Sequence, residues 1–544
     1  MKARSFLLAV AATVVLLLTT ALGLWWAMAQ QSPLKIVGQP LVLPRAARFV
    51  PRNASLSLHW LADPGRMPAY AQAVAPVSRR RQARDSTQQL RDGAFALAGL
   101  DFVGELADWI GPQVSLSLFA PVSDAPAGWV LALTSLDQDG AKRFLQRFWQ
   151  TRSLAGTDLQ ISRYRGMGVI SGRGALLGQD PQPIATALID DDLLLIASGR
   201  GVLEQSLDVS QLDALHQLGD EALVADLQQL GRGAALLTAD PVAMATWLGM
   251  PRSISNDDDL VGLVAALEPK GTALDLDAVL RFREPLGGSG TGGLQSQSLM
   301  RSAGGSASAL ALLSDPAGLL SPHDQDPVAQ WLAPVLEETL QTLGAEGASA
   351  VVGLDAGPLL WKQGEEGWLL GTSSDQPGLE AVDADLQVKG LVRSALPSDG
   401  SALEVWTRLA RQRQRGEASL QAQLAVALER ESGQDWWGQT LDALTTRQDH
   451  SALEPRLDQL RALQDDGAAP LAQQLALATE PSRAQLQKWR PWSLIQSVAG
   501  RPLLPAVQEL ALAVGTDQEE GSGEEVSGQA GSHRLRLRAQ LRFG

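Results

Sequence analysis

The feature that most constrains this chain is an uncharged, proline-free apolar run near its amino terminus, from Ser5 to Met28. An α-helix rises about 1.5 Å per residue, so roughly 20 such residues span the ~30 Å hydrocarbon core of a bilayer. Trp25 and Trp26 stand at the end of the run, where indole rings favour the membrane–water interface. The pattern predicts a transmembrane anchor over residues 1–29.

A cleavable signal peptide is the alternative, because Ala27-Met28-Ala29 has the small-x-small form of a cleavage site. The apolar region of a signal peptide is shorter, about 7–15 residues, which favours an uncleaved anchor. Basic residues flank both ends of the run almost equally, so the positive-inside rule is nearly a tie. A short, positively charged leading tail is costly to translocate, and we therefore expect a cytoplasmic amino terminus with residues 30–544 exported.

The exported body is acidic and contains no cysteine. Lys2 and Arg4 are the only charged residues of the anchor, which leaves 43 of the 45 basic residues against 60 acidic ones, a net charge of about −17. Such a surface repels phosphate backbones, so no nucleic-acid partner is expected. The lack of cysteine excludes disulfides, thiol nucleophiles and cysteine-ligated metals. A body of this length predicts two or more domains.

Breaks in composition divide the body into segments. The prolines of residues 30–53 predict an extended stalk between the membrane and the body. A Gly/Ser-rich stretch over residues 284–308 predicts a flexible linker or loop, and an acidic Gly/Ser-rich stretch over residues 516–532 predicts a disordered loop. The expected domains are therefore a first half, residues 54–283, and a second half, residues 309–544.

The two halves share short sequence motifs. GWVLALTSLDQ at residues 128–138 corresponds, with one deletion, to GWLLGTSSDQ at residues 367–376. Strand-like runs that end in Asp-Pro occur at residues 55–64 and 308–316, with a third at residues 234–241. The spacings between the motifs differ, so the pattern indicates a degenerate internal duplication, with chance similarity as the alternative.

The local patterns are those of a mixed α and β protein. Asp190–Asp192 lie between two apolar runs and predict a hairpin turn, and Asp137 is a candidate N-cap for a helix with Ala141, Phe144, Leu145 and Phe148 on one face. Apolar residues alternate strictly with arginine and other polar residues over 534–543, which predicts a strand with one buried face, paired with Glu509–Val514. We expect an α+β fold after the transmembrane helix, with two related halves of mainly antiparallel sheet and helices on one face.

No set of residues amounts to a recognisable active site, so no catalytic residue and no cofactor are predicted. Of five scattered histidines, only His323 has close carboxylates, Asp324 and Asp326, which could be metal ligands. A proline-bounded loop before a helix explains the same residues. Gly288, Gly290 and Gly293 have the spacing of a dinucleotide-binding loop but lack the strand and helix that this loop needs, which favours a linker.

Tryptophan is unusually frequent, with 15 residues against two tyrosines. Seven of them sit in apolar contexts that are typical of a core: Trp60, Trp109, Trp129, Trp247, Trp331, Trp368 and Trp406. Four others are harder to bury together: Trp436, Trp437, Trp489 and Trp492. If exposed, these four would form an apolar patch for a partner, a lipid surface or a sugar, with core packing as the alternative.

Several motifs together resemble one known family. They are FVPRNASLSL from Phe49, WIGPQVSLSL from Trp109, GWVLALTSLDQDGAKRFL from Gly128, RYRGMGVI from Arg163 and WRPWSLIQSVAG from Trp489. They are similar to cyanobacterial proteins of domain-of-unknown-function family 3352, from about residue 45 to the end. The resemblance implies a membrane-anchored, extracytoplasmic protein of the cell envelope or thylakoid lumen, and it brings no catalytic residues.

The sequence therefore predicts a non-enzymatic binding or assembly protein, held in a membrane by its amino-terminal helix, with an envelope or thylakoid protein as partner. One alternative is an envelope hydrolase whose residues meet only in the fold, around His323, Asp324 and Asp326. Another is a small-ligand carrier with a pocket between the halves. The identity of the partner, the oligomeric state, the membrane and cleavage after Ala29 stay open.

Overall fold

The computed structural model describes the chain from residue 33 to residue 544 with gaps. The gaps are residue 37, residues 122–126, residue 155, and residues 175–181, 252–257, 287–292, 321–326, 343–345, 375–376, 398–401, 415–416, 465–470 and 517–532. The predicted anchor, with Trp25 and Trp26, lies outside the described residues, as does nearly all of the predicted acidic loop.

The described residues form twenty strands. They are β1 (Leu56–Trp60), β2 (Ile110–Phe119), β3 (Gly128–Ser135), β4 (Gln160–Tyr164), β5 (Met167–Gly174), β6 (Gln182–Ile189), β7 (Leu193–Ala197), β8 (Ala235–Ala239), β9 (Leu260–Lys270), β10 (Ala273–Phe282), β11 (Ala309–Leu313), β12 (Leu359–Gly364), β13 (Gly367–Ser373), β14 (Val392–Pro397), β15 (Ala402–Gln414), β16 (Glu417–Glu431), β17 (Gln434–Gly438), β18 (Gln473–Leu477), β19 (Val507–Thr516) and β20 (Arg534–Phe543).

The α-helices of the described residues lie between these strands. They are α1 (Met67–Val74), α2 (Arg80–Leu97), α3 (Gln138–Leu154), α4 (Arg200–Val209), α5 (Glu221–Leu230), α6 (Pro241–Trp247), α7 (Gly293–Ser302), α8 (Pro316–Leu320), α9 (Pro327–Thr342), α10 (Glu346–Leu354), α11 (Leu379–Val388), α12 (Leu441–Thr445), α13 (Glu454–Ala462), α14 (Thr479–Lys488) and α15 (Arg490–Ala499). Within the described part of the chain, no helix combines the length and apolarity needed to cross a bilayer.

All twenty strands join in one antiparallel sheet, and its strand order repeats. The first ten strands lie in the order β4-β5-β6-β7-β3-β2-β1-β8-β9-β10, and the second ten repeat it as β14-β15-β16-β17-β13-β12-β11-β18-β19-β20. The two sets meet where β10 pairs with β20. The two Gly-Trp motifs lie on the equivalent strands β3 and β13. The fold is thus α+β with a large antiparallel sheet.

Helices cover both faces of the sheet, so the expectation of helices on one face is wrong. In the first set, Leu133 packs with α3 on one face, while Val130 packs with α4 on the other. In the second set, one face lies under α9, α10 and α11, and the other under α7, α12 and α13. Strands such as β7 and β17 are buried at every position because helices cover both sides.

Residues 33–52 are packed on the body, so the predicted stalk is wrong for the part of it that the structure describes. Leu41 and Leu43 are buried against α5, and Phe49 is buried beside α4. Leu41 N donates to Gly231 O at 3.1 Å, which fixes the path of the segment. The prolines suggested an extended chain, but the apolar residues between them bury surface that a solvated stalk would leave in water.

The Asp-Pro pairs that follow strand-like runs start helices, which was not predicted from the sequence. The side chains of Asp63, Asp240 and Asp315 each accept a hydrogen bond from a backbone N–H two or three residues later. Aspartate at the N-cap and proline at the first helical position together favour a helix start.

The Gly/Ser-rich segment at residues 284–308 was predicted to be a flexible linker or loop. The structure differs, because this segment contains α7, in which Leu299 is buried.

The other local predictions agree with the structure in their main features. Asp190 and Asp191 have positive φ at the turn between β6 and β7, and Asp137 accepts a backbone hydrogen bond at the start of α3. β19 pairs with β20 as expected. The arginine face of β20 is solvated only at its end, however, because the Arg536 and Arg538 side chains are 13% and 9% exposed whereas that of Arg542 is 44% exposed.

Candidate functional site

The structure separates the four tryptophans predicted as a surface patch. Trp436 and Trp437 are 0% exposed and Trp492 is 5% exposed, whereas Trp489 is 40% exposed. A patch of all four indoles is therefore wrong, and the core alternative holds for three of them. Trp489 is the one of the four whose ring is exposed.

Trp436 and Trp437 are buried because successive residues of a strand point to opposite faces and both faces are covered. The Trp437 and Trp406 ring centroids lie 5.7 Å apart in the core on one side. On the other side, Trp436 lies over Gly371, its partner on β13. A Cβ at Gly371 would come within 2.5 Å of the Trp436 ring, so glycine is needed there to admit the indole.

Trp489 lies at a contact between helices of the two sets. It separates α14 from α15, and its indole Nε1 donates a hydrogen bond to Leu248 O at 2.9 Å. Leu248 follows Trp247, the last residue of α6, which is 47% exposed. Gly249 continues the contact, since a Cβ there would lie 2.9 Å from Pro491 Cδ. The half-exposed indole of Trp489 is therefore held at this contact, and the half-exposed Trp247 immediately precedes its partner Leu248 in the chain.

A shallow depression of about 370 Å³ lies beside Trp492, on the outside of α14 and α15. It is lined by Arg483, Gln487, Trp492, Ser493, Gln496, Pro502, Leu504 and Pro505. Arg483 fixes one wall, because its guanidinium donates to Val507 O at 3.1 Å and Pro505 O at 2.8 Å. We name Trp247, Trp489 and this depression together the WRPW surface.

The WRPW surface combines aromatic rings with uncharged hydrogen-bonding groups. Half-exposed indoles supply much of the binding energy in protein interfaces, and amides such as Gln487 and Gln496 supply directional contacts. The arrangement suits non-covalent recognition of an apolar segment with polar groups at its border.

Trp247 is the member of this surface that the sequence missed. Its apolar neighbours indicated a core position, but α6 is short and ends at Trp247, where the chain turns away through Gly249. The Gly-Met-Pro sequence that follows is the signal that could have placed it at an exposed helix end.

Two buried basic side chains act as parts of the core. His59 is 0% exposed; its Nδ1 lies 2.8 Å from Ser115 Oγ and its Nε2 lies 3.0 Å from Gln217 Oε1. Burial lowers the pKa of His59 to about 4, which keeps the imidazole neutral. Lys362, also 0% exposed, donates to Gly304 O at 3.0 Å, and burial lowers its pKa. Neither side chain can be reached by a substrate.

Asp355 makes stability depend on pH in an unusual direction. It is 0% exposed, and burial raises its pKa from 3.8 to about 7, although Gly357 N donates to Oδ1 at 3.0 Å. The folded state therefore binds this proton more tightly than the unfolded state, so its stabilising effect is complete below about pH 4 and is lost as the pH rises through about 7.

We expect Asp355→Asn to remove this pH dependence, because the amide is neutral and keeps the acceptor for Gly357 N. A tenfold change in proton affinity corresponds to about 1.4 kcal/mol, so the variant should gain up to roughly 4 kcal/mol over the wild type between pH 4 and pH 8. Urea unfolding at both pH values measures the difference. An equal difference between the two proteins at pH 4 and at pH 8 would contradict the assignment.

The predicted metal candidates His323, Asp324 and Asp326 lie outside the described residues. Within the described ranges, no group of three or more histidine or acidic residues could hold a metal ion. The Asp190–Asp192 turn is instead neutralised by basic side chains, since Arg45 pairs with Asp192 at 2.8 Å and Lys142 with Asp191 at 2.8 Å.

Comparison with known proteins identifies a family. The family described as "Protein of unknown function (DUF3352)" matches residues 9–527. No curated protein matches. Crystal form I of TP0453 is 12% identical, with a TM-score of 0.26 over 44% of this chain and 79% of that chain. Crystal form III is 11% identical, with a TM-score of 0.25 over 48% and 87%. Similarity at these TM-scores indicates neither a shared fold nor a shared function.

Proposed function

The chain belongs to the DUF3352 family of proteins of unknown function, and from that premise we propose that it is a membrane-anchored, extracytoplasmic binding or assembly protein. Its partner docks on the WRPW surface. The observation that carries this proposal is the half-exposed indole of Trp489, which is hydrogen-bonded to Leu248 O of the other set, with the half-exposed Trp247 next to Leu248 in the chain.

The proposed anchor is the apolar run from Ser5 to Met28, with Trp25 and Trp26 at the membrane–water interface. The amino terminus stays in the cytoplasm, and the body lies in the periplasm or the thylakoid lumen. The net charge of about −17 beyond the anchor suits a protein that must stay soluble beside a membrane.

We further propose that residues 54–283 and 309–544 are duplicated halves. The repeated strand order and the paired Gly-Trp motifs support this. Because Trp247 belongs to the first half and Trp489 to the second, the WRPW surface is a property of the joined chain. A partner that docks there binds both halves at once, as expected of an assembly protein.

We expect the double variant Trp247→Ala, Trp489→Ala to lose its partner while it keeps its fold. Truncation of exposed aromatic side chains at the centre of an interface typically costs 2 kcal/mol or more each, so binding should fall by roughly a thousandfold for the pair. The measurement is crosslinking and co-purification of the full-length protein after extraction in mild detergent.

The matched control is Leu154→Ala, Val388→Ala, which truncates two side chains that are 84% and 89% exposed elsewhere on the body. This control should leave co-purification unchanged. A protein that crosslinks to nothing, or a tryptophan variant that keeps its partner as well as the control does, would contradict the proposal.

A small ligand is the second candidate occupant, because the depression beside Trp492 has a volume of about 370 Å³ and mainly apolar walls with a few hydrogen-bonding groups. A ligand present at 100 times its dissociation constant would add about 2.7 kcal/mol to stability, which thermal unfolding detects. The hydrolase alternative depends on His323, Asp324 and Asp326, and it stays a prediction from the sequence.

A further inference from the structure

The first described residues of the chain pack directly on α1. Residues Pro33–Ile36 form a 3-10 turn, and Ile36 is 3% exposed in a cluster with Tyr70 and Val74 of that helix. Four residues, 29–32, separate this turn from the end of the apolar run. Fully extended, four residues span at most about 14 Å. An anchor over residues 5–28 would therefore hold α1 close to the bilayer surface.

Beyond α1 the chain exposes a cluster of arginines. Arg79, Arg80, Arg81 and Arg84 are all exposed where the turn after α1 leads into α2. Arg501, which follows α15, joins them by donating from Nη2 to Gln82 O at 3.1 Å. We name these five residues the arginine patch.

The arginine patch is poorly neutralised by the rest of the body. In the described part of the chain, no side-chain carboxylate lies within ion-pairing distance of Arg80, Arg81 or Arg84, although Asp85 is nearby in sequence and exposed. Arg79 donates to the main-chain oxygen of Gly544. In a body with a net charge of about −17, this is a local reversal of sign.

An exposed apolar side chain stands beside these charges. Val77 lies in the turn between α1 and α2 and is 80% exposed. An apolar side chain next to clustered arginines is the composition by which peripheral segments enter the head-group region, with the side chain below the phosphates and the guanidinium groups among them.

We propose that the arginine patch and Val77 dock on anionic lipid head groups of the same bilayer that holds the anchor. The inference rests on the proposed membrane anchor and adds a second, charge-dependent membrane contact that fixes the orientation of the body. Each basic residue near an anionic bilayer surface strengthens binding about fivefold. Gly544 N donates to Ala506 O, next to Pro505 of the depression, so this contact also places the WRPW surface near the membrane.

The natural chain contains no cysteine, which permits a site-specific test on the full-length protein. Val77→Cys is labelled with an environment-sensitive fluorophore, and the protein is reconstituted in phosphatidylcholine vesicles with or without phosphatidylglycerol. Lipid-borne nitroxide then reports contact between the label and the bilayer. The control site is Val388→Cys, 89% exposed on α11.

We expect quenching at position 77 several-fold above that at position 388 in the phosphatidylglycerol vesicles, and equal quenching in phosphatidylcholine alone. Arg80→Gln, Arg81→Gln, Arg84→Gln in the same chain should weaken the surface contact roughly a hundredfold and abolish the difference. A label that is unquenched in both vesicles, or quenching that survives the three substitutions, overturns the proposal. Resistance to alkaline extraction tests the anchor separately, so a failed anchor is distinguished from a failed lipid contact.

Discussion

Replacing Trp437 by alanine is expected to lower the free energy of unfolding by about 3–5 kcal/mol. The side chain is 0% exposed, packs against Trp406 and closes the core under α9, α10 and α11. Truncation removes the transfer free energy of a large ring and leaves a cavity that the surrounding sheet cannot close. Urea unfolding followed by circular dichroism measures the loss.

Trp489→Ala is the matched control, since it truncates the same side chain at a position that is 40% exposed. We expect this variant to lose less than about 1 kcal/mol, as surface substitutions usually do. If the two variants unfold at the same urea concentration, β17 is not buried on both faces and the three-layer arrangement is contradicted.

The burial of both Trp436 and Trp437 could not be predicted from the sequence. Trp436 and Trp437 are adjacent, and in a strand with one covered face one of them would be exposed. Only the pairing of β17 with β13 and β16, under helices on both sides, buries them together. The hydrophobic periodicity of a strand shows which residues share a face of that strand. Whether helices cover the second face of the sheet depends on contacts between residues far apart in sequence, which the periodicity does not show.

The predictions that agree with the structure depend on local chemistry. Asp137 starts α3 and the Asp190–Asp192 turn joins β6 to β7, because capping and turn geometry involve neighbouring residues. The stalk prediction for residues 30–53 failed where it depended on composition, since the prolines do not report that Leu41 and Phe49 lie against the body. The exposure of Trp247 was missed because that prediction also depended on composition: its apolar neighbours indicated a core position, although α6 ends at this residue.

The junction of the two sets of strands is locally symmetric. β10 reads ALDLDAVLRF and β20 reads RLRLRAQLRF, which share Leu, Leu, Ala, Leu, Arg and Phe at equivalent positions. In this alignment Asp277 is equivalent to Arg538. The antiparallel register places these same two residues directly opposite each other. A local two-fold axis therefore passes between them.

A residue on such an axis faces its own equivalent, so identical charges there would repel. Aspartate in one strand and arginine in the other remove that conflict. Asp277 Oδ2 lies 2.7 Å from Arg536 Nη2 and 3.6 Å from Arg538 Nε. Arg538 Nη1 also donates to Leu463 O at 2.9 Å, which secures the loop after α13. These charges thus favour pairing of β10 with β20 over pairing of either strand with its own copy.

We expect Asp277→Ala to lower the free energy of unfolding by about 3 kcal/mol, because it removes a carboxylate that pairs with two largely buried guanidinium groups, those of Arg536 and Arg538. Removing all three charges together, with Asp277→Leu, Arg536→Leu and Arg538→Met, should cost much less, since hydrophobic replacement of a buried ionic cluster is often nearly neutral. Urea unfolding of the full-length variants compares the two, and a separate early transition would report that the junction opens first.

The control for this comparison is the Lys488–Glu338 pair, which joins α14 to α9 at 2.9 Å with both side chains about two-thirds exposed. Glu338→Ala should cost less than about 1 kcal/mol, because an exposed ion pair gains little over its hydrated partners. If Asp277→Ala costs no more than Glu338→Ala, the charges at the axis do not stabilise the junction. In that case the backbone hydrogen bonds and the alternating leucines of β10 and β20 would be sufficient to join the two sets of strands.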